Sequence, residues 1–135
     1  LVRDKKVDIN KKNGKGETPI FGACWKGDEK LVKFLIKLGA DINKENSEGQ
    51  TPLSYACLSE NYKLIKYLVR DKKADINKKN GKGETPIFSA CWKGDEKLVK
   101  FLIKLGADIN KENSEGQTPL SYACLSENYD LIKYL

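Results

Sequence analysis

The sequence predicts an all-α solenoid of helix–turn–helix repeats with extended turns or hairpins between them. Three observations lead there. Residues 1–68 laid over 68–135 agree everywhere except at Val7/Ala74, Gly22/Ser89 and Lys63/Asp130, so the chain is a tandem duplication of a 67-residue unit. Each unit divides again, because 13–45 and 46–79 share a frame of Gly, Thr-Pro, Ala-Cys, Leu and Ala-Asp-Ile-Asn, which sets an elementary period of 33 or 34 residues. After every Thr-Pro, apolar residues recur at helical spacing. The array reads as a partial repeat over 1–12, three repeats over 13–45, 46–79 and 80–112, and a partial repeat over 113–135.

Each element follows from local chemistry. Thr18, Thr51, Thr85 and Thr118 are placed to cap a first helix by accepting from an exposed backbone N–H, and the prolines that follow them suit a first helical turn. Ile20, Ala23 and Cys24 form one face of that helix, which should stop near Lys26-Gly27, where glycine takes a left-handed conformation easily. Asp28 then caps a second helix. Its apolar face is Leu31, Val32, Leu35 and Ile36, and Lys30, Lys33 and Lys37 lie opposite. Gly39 ends it, and Ala40-Asp41-Ile42-Asn43 leads through Asn46-Ser47-Glu48-Gly49 to the next Thr-Pro.

One such helix pair cannot bury both faces, so neighbouring pairs must stack into a continuous core. The array starts and stops within repeats, and this predicts that Leu1, Val2, Leu131 and Leu135 lack a polar capping layer and that further repeats flank the segment. The repeats at 46–79 and 113–135 lack glycine where Gly27 and Gly94 stand, carrying Glu60 at the first of these. Asp71-Lys72-Lys73 adds a residue where Leu38-Gly39 sits. A longer helix end is expected there, with Lys72 or Lys73 left-handed, and likewise Lys5 or Lys6.

The recurring Thr-Pro start, the Ala of the first helix and the Gly-Ala-Asp-Ile-Asn ending at a 33-residue period resemble the ankyrin repeat over essentially the whole chain. The resemblance implies an ankyrin-repeat solenoid. It also marks a departure: where the family places a histidine that bonds to Thr and backbone groups, this chain has Phe21, Ser54, Phe88 and Ser121, and it contains no histidine.

Composition narrows the function. With 39% hydrophobic and 33% charged residues the chain has a globular balance, and no stretch approaches the roughly 18 consecutive apolar residues of a membrane span. Membrane insertion is not expected. Nothing at Leu1 and after resembles a signal-peptide core. Cys24, Cys57, Cys91 and Cys124 follow the repeat rather than any metal-binding spacing and read as small core thiols. Together with the lack of Asn-x-Ser/Thr acceptors, they favour an intracellular, cytoplasmic setting.

Catalysis has little support: histidine is absent and every carboxylate but Asp130 recurs in each unit. The Gly-x-Gly segments at 14–16 and 81–83 lack the rest of a phosphate loop. No cofactor or metal is expected.

The net charge of +6 comes in pulses of +3, +1, +3, +1 and −2 over 1–12, 13–45, 46–79, 80–112 and 113–135. Basic turns at Lys11-Lys12, Lys15 and again at Lys78-Lys79, Lys82 could meet acidic partners. Only Arg3 and Arg70 could fork onto phosphate and few aromatics interleave, so nucleic acid is disfavoured. Lys33, Lys37, Lys66, Arg70, Lys100, Lys104 and Lys133 read as a solvated stripe, with Glu29 and Glu96 four residues before Lys33 and Lys100.

The resemblance implies a concave binding surface of turn tips and first-helix edges. Carried onto this sequence, it selects Lys15, Glu17, Trp25 and Lys26, then Glu48, Gln50, Leu58 and Ser59. The row continues with Lys82, Glu84, Trp92 and Lys93, and with Gln117, Leu125 and Ser126. Trp25, Leu58, Trp92 and Leu125 have the anatomy of an apolar interface with a charged rim. The other reading packs each Trp flat on a neighbouring turn. The expected function is a non-catalytic protein–protein interaction scaffold; the alternative is a structural spacer whose uncapped termini self-associate end to end.

Overall fold

The computed structural model describes residues 7–135, so the expectations for Leu1, Val2, Lys5 and Lys6 lie outside the described residues. The chain divides into two compact units, Leu1–Ala74 and Asp75–Leu135. The division falls at the turn that closes the lysine-rich insertion. The first unit holds α1 (Pro19–Lys26), α2 (Glu29–Lys37), α3 (Pro52–Ser59) and α4 (Tyr62–Lys66), with a π-helical turn over Tyr67–Asp71. The second holds α5 (Pro86–Lys93), α6 (Glu96–Lys104), α7 (Pro119–Ser126) and α8 (Tyr129–Tyr134). Among the described residues there is no strand.

Each unit is two helix pairs stacked through their first helices: α1 lies on α3, and α5 on α7. The stacking is dictated by the apolar face of the first helix. Ile20, Phe21, Ala23 and Cys24 are buried in α1, and Leu53, Ala56 and Cys57 in α3. At about 25 cal/mol per Å² of apolar surface removed from water, such layers supply most of the driving force for folding. The second helices contribute unevenly. Val32 is fully buried in α2 while Leu31 and Phe34 are exposed, whereas α6 buries Leu98, Val99 and Leu102.

The second helices are capped as expected. Leu31 N–H donates to Asp28 Oδ1 at 3.0 Å and Leu98 N–H to Asp95 Oδ1 at 3.1 Å. Asn61 and Asn128 do the same for α4 and α8, each at 3.2 Å. Their side-chain amides also donate, at 2.8 Å, to the carbonyls of Gly27 and Gly94 in the preceding layer, so one residue caps a helix and ties two repeats.

The first helices depart from the expectation. Thr18, Thr51, Thr85 and Thr118 stand at the N-cap with extended backbone, yet none makes a side-chain cap bond. The Thr18 carbonyl instead accepts from Phe21 N–H at 3.0 Å. Pro at the next position removes one of the first-turn donors. The Thr18 and Thr85 hydroxyls are buried without any partner. Both belong to repeats in which Phe stands for the family's histidine. Phe21 meets Tyr55 edge-on at 5.1 Å between ring centroids, and Phe88 meets Tyr122 likewise. An aromatic contact worth about 0.5–1.5 kcal/mol therefore replaces a polar network.

Helix ends match the glycine pattern. Gly27 and Gly94 are left-handed at φ 70° and 71°. Glu60 and Glu127 hold the same conformation at φ 59° and 58°, although a side chain disfavours it. In the insertion it is Lys73, at φ 60°, that turns left-handed. The π-helical turn before it absorbs the extra residue, which is the expected lengthening of the helix end.

Turns are held by asparagine. Asn13 Oδ1 accepts from the N–H groups of Lys15 and Glu17, and Asn80 Oδ1 from those of Lys82 and Glu84. Ser47 N–H bonds to the Lys15 carbonyl at 2.9 Å, joining successive turns. Gly16 is required beneath that bond: at φ 77° it is left-handed, and a Cβ would lie 2.7 Å from the Ser47 nitrogen.

The last layer buries one of its leucines. Leu131 is fully buried, because the Asn128 cap fixes α8 in the phase that turns this residue inward. The exposed apolar residues there are Leu120, Leu125, Tyr129 and Tyr134. Cys24, Cys57 and Cys91 are buried as expected of core thiols, and Cys124 is exposed.

Candidate functional site

The apolar members of the row stand on the outer edge of the first helices. Trp25 is 60% exposed and Trp92 57%, so each indole keeps more than half of its surface in water. Leu58 and Leu125 are 39% and 62% exposed. In α1 the residues around Trp25 alternate sharply: Ala23 and Cys24 face the core while Trp25 and Lys26 face out. Helical geometry forces this, since the buried stripe of α1 is made by Ile20, Phe21, Ala23 and Cys24 and Trp25 lies just beyond it. In the second unit the Trp92 ring also approaches Tyr122 edge-on at 6.4 Å.

Of the polar members, Lys15, Lys26, Glu48, Lys82 and Lys93 are exposed side chains. The others are half-buried and already engaged. Gln50 and Gln117 accept at 3.0 Å from the amides of Asn46 and Asn113. Ser59 Oγ donates to the Ala56 carbonyl at 2.6 Å and accepts from Asn61 N–H at 3.1 Å; Ser126 repeats this arrangement. These serines finish the first helix and hold the turn to the next.

Glu17 and Glu84 are more than rim charges. Tyr55 donates its hydroxyl to Glu17 Oε2, and Tyr122 to Glu84 Oε2, each at 2.5 Å. The Tyr55 and Asn13 hydrogen bonds, with the Lys15 charge adding to them, hold the Glu17 carboxyl below the ordinary glutamate range. The Tyr55 phenol is pushed up, first by burial and then by its bond to Glu17. For Tyr122 the Glu84 bond is the leading cause and burial the second. Tyr55 and Tyr122 escaped the sequence reading because each partner lies 38 residues away, in another layer.

Two depressions open on this face of the first unit. One, of about 430 Å³, is lined by Glu17, Gly22, Trp25, Gln50, Tyr55 and Leu58. The second, of about 380 Å³, runs between the turn tips past Gly14, Lys15, Ser47 and Glu48. The second unit has its own turn-tip groove of about 440 Å³, past Lys82, Glu84, Glu115 and Tyr122.

The lysine stripe is on the second helices. Lys33 lies 3.1 Å from Glu29 and 4.8 Å from the Tyr67 ring centroid, and Lys100 lies 2.8 Å from Glu96 and 4.8 Å from that of Tyr134. These two lysines brace one layer on the next rather than merely solvating a face. Among the described residues no His, Cys, Asp and Glu side chains gather in threes as a metal site would require, and no helix is long and apolar enough to cross a membrane.

A model of ankyrin repeats (3 copies) matches residues 1–80 and 72–135. The chain belongs to the ankyrin repeat family. No curated protein matches it. Ankyrin repeats generally act as protein-interaction scaffolds rather than enzymes.

Proposed function

We propose that this ankyrin array is a protein-binding scaffold whose contact face, in each unit, is the outer edge of the first helices together with the turn tips. The observation that carries the reading is the exposure of Trp25 and Trp92. Large indoles left in water on helices that bury Ile20, Phe21, Ile87 and Phe88 fit the aromatic anchors of an interface. Lys15, Lys26 and Glu48 in the first unit, and Lys82 and Lys93 in the second, form a charged rim around them, as non-obligate interfaces have. The hydrogen-bonded Glu17, Gln50 and Ser59, with Glu84, Gln117 and Ser126, keep the turns rigid so that little ordering entropy opposes binding.

The test is affinity capture of partner proteins by the chain and by its Trp25→Ala and Trp92→Ala variants, alongside thermal melting. The expected result is loss of capture with a change in stability within about 0.5 kcal/mol, as for surface substitutions. Capture that survives both substitutions would falsify the reading, as would a large loss of stability with capture retained.

A further inference from the structure

The depression beside Trp25 differs in chemistry from the rest of this basic chain. The protein carries 25 Lys and Arg against 19 Asp and Glu, yet among the described residues the one formal charge lining this space is the Glu17 carboxylate. An exposed indole, a phenol and an anion share a recess with Leu58 at its side. The recess lies against Gly22, where an added Cβ would meet nothing within 4 Å.

Building on the scaffold reading above, we propose that this depression anchors an arginine side chain of the partner protein, its guanidinium against Trp25 and directed at Glu17, its aliphatic stem against Leu58. The indole face attracts cations, at about 0.5–1 kcal/mol in exposed settings. Glu17 supplies the opposite charge. Its bonds from Tyr55 and Asn13 keep it ionised at neutral pH and use one site on each oxygen. A carboxylate offers about four acceptor sites, so two remain for incoming N–H donors. Arginine suits the recess better than lysine because its guanidinium is planar, stacks on aromatic faces, is weakly hydrated and forks onto carboxylates.

Gly22 makes the two units unequal. It is one of the three positions at which the duplicated units differ, and Ser89 stands at the corresponding place in the second unit, its Oγ donating to the Pro86 carbonyl at 3.1 Å. A serine at 22 would put Cβ and Oγ where the first unit has open space. It leaves the Tyr55–Glu17 bond alone, and the second unit already folds with it.

The experiment is an NMR titration of the whole chain with a blocked Gly-Ser-Arg-Ser-Gly peptide and with the same peptide carrying citrulline, the neutral isostere. The Trp25 indole N–H is the reporter. The arginine peptide should shift that resonance and bind roughly fivefold more tightly than the citrulline peptide, the factor that about 1 kcal/mol represents. Glu17→Gln should bring arginine down to the citrulline level, and Gly22→Ser should weaken arginine binding at Trp25. An unmoved Trp25 resonance, equal affinity for the two peptides, or Gly22→Ser binding as well as the parent overturns the proposal. If Trp25→Ala abolishes capture of the partner protein while the peptides show no charge preference, the scaffold reading stands and the arginine anchor falls. Capture indifferent to both tryptophans removes the scaffold reading itself.

Discussion

Tyr55 donates its hydroxyl to Glu17 Oε2 at 2.5 Å across 38 residues of sequence, so the first helix of one layer holds the turn of the layer before it. Hydrogen bonds to a charged partner contribute about 1.5–3 kcal/mol. Tyr55→Phe keeps the ring that meets Phe21 edge-on and removes only the hydroxyl. It should lower stability by about 2 kcal/mol in urea unfolding at neutral pH.

The same pair sets a pH window. Glu17 titrates lower in the folded chain than its ordinary value, so its contribution is present above about pH 4.3 and is lost as pH falls through the lowered folded value. Tyr55 titrates higher than usual, so its contribution is present below about pH 10 and is lost as pH rises through the raised value. The stability gap between parent and Tyr55→Phe should be flat in between and close at both ends. A gap that is constant from acid to alkali would show that the bond carries no weight.

Thr18 and Thr85 bury hydroxyls that bond to nothing. Such a group costs about 1–3 kcal/mol by mutational measures. Valine has nearly the same shape and accepts the extended backbone of Thr18, at φ −89° and ψ 166°. Thr18→Val and Thr85→Val should each raise the thermal midpoint, by the equivalent of about 1 kcal/mol. A drop would mean that the hydroxyl has a partner in solution.

The thiols offer a direct check on the layers. Burial pushes Cys24, Cys57 and Cys91 up to about 12, and the thiolate is the reactive form. Cys124 is exposed. A single equivalent of a thiol reagent should therefore add to the native chain near pH 8, at Cys124 by peptide mapping, and four equivalents after unfolding. Rapid labelling of Cys57 would place it outside the core.

What the sequence showed and what it hid divide along a physical line. Asp28 at the second-helix cap, Gly27 at the first-helix end and the i,i+4 pair Glu29–Lys33 were all legible, because each interaction spans four residues or fewer. A left-handed residue at Lys72 or Lys73 was legible for the same reason, since an inserted residue without glycine must bend somewhere nearby; the structure puts it at Lys73. The Thr18 cap was misread: its hydroxyl makes no cap bond although the residue stands at the N-cap with extended backbone, and the local pattern is identical in both cases. Tyr55 was missed as a partner of Glu17 because only the stacking of layers brings them together. For Trp25 the pattern alone left exposure and packing both open; its distance from the buried stripe of α1 decided it.

Glu60 ends α3 in the left-handed conformation that glycine takes at Gly27. For a residue with a side chain this conformation costs roughly 1–2 kcal/mol. Glycine in its place would forfeit about 0.5–1 kcal/mol through the greater freedom of the unfolded chain, which leaves a net gain. Glu60 is exposed, so no packing is lost. Glu60→Gly should raise the urea midpoint by the equivalent of about 0.5–1 kcal/mol. The reciprocal change, Gly27→Ala, should lower it by more, because a Cβ there would also lie 3.0 Å from Ser59 Cβ and Oγ. Equal and small effects of the two substitutions would mean that the left-handed ends of α1 and α3 relax freely and do not hold the turns in place.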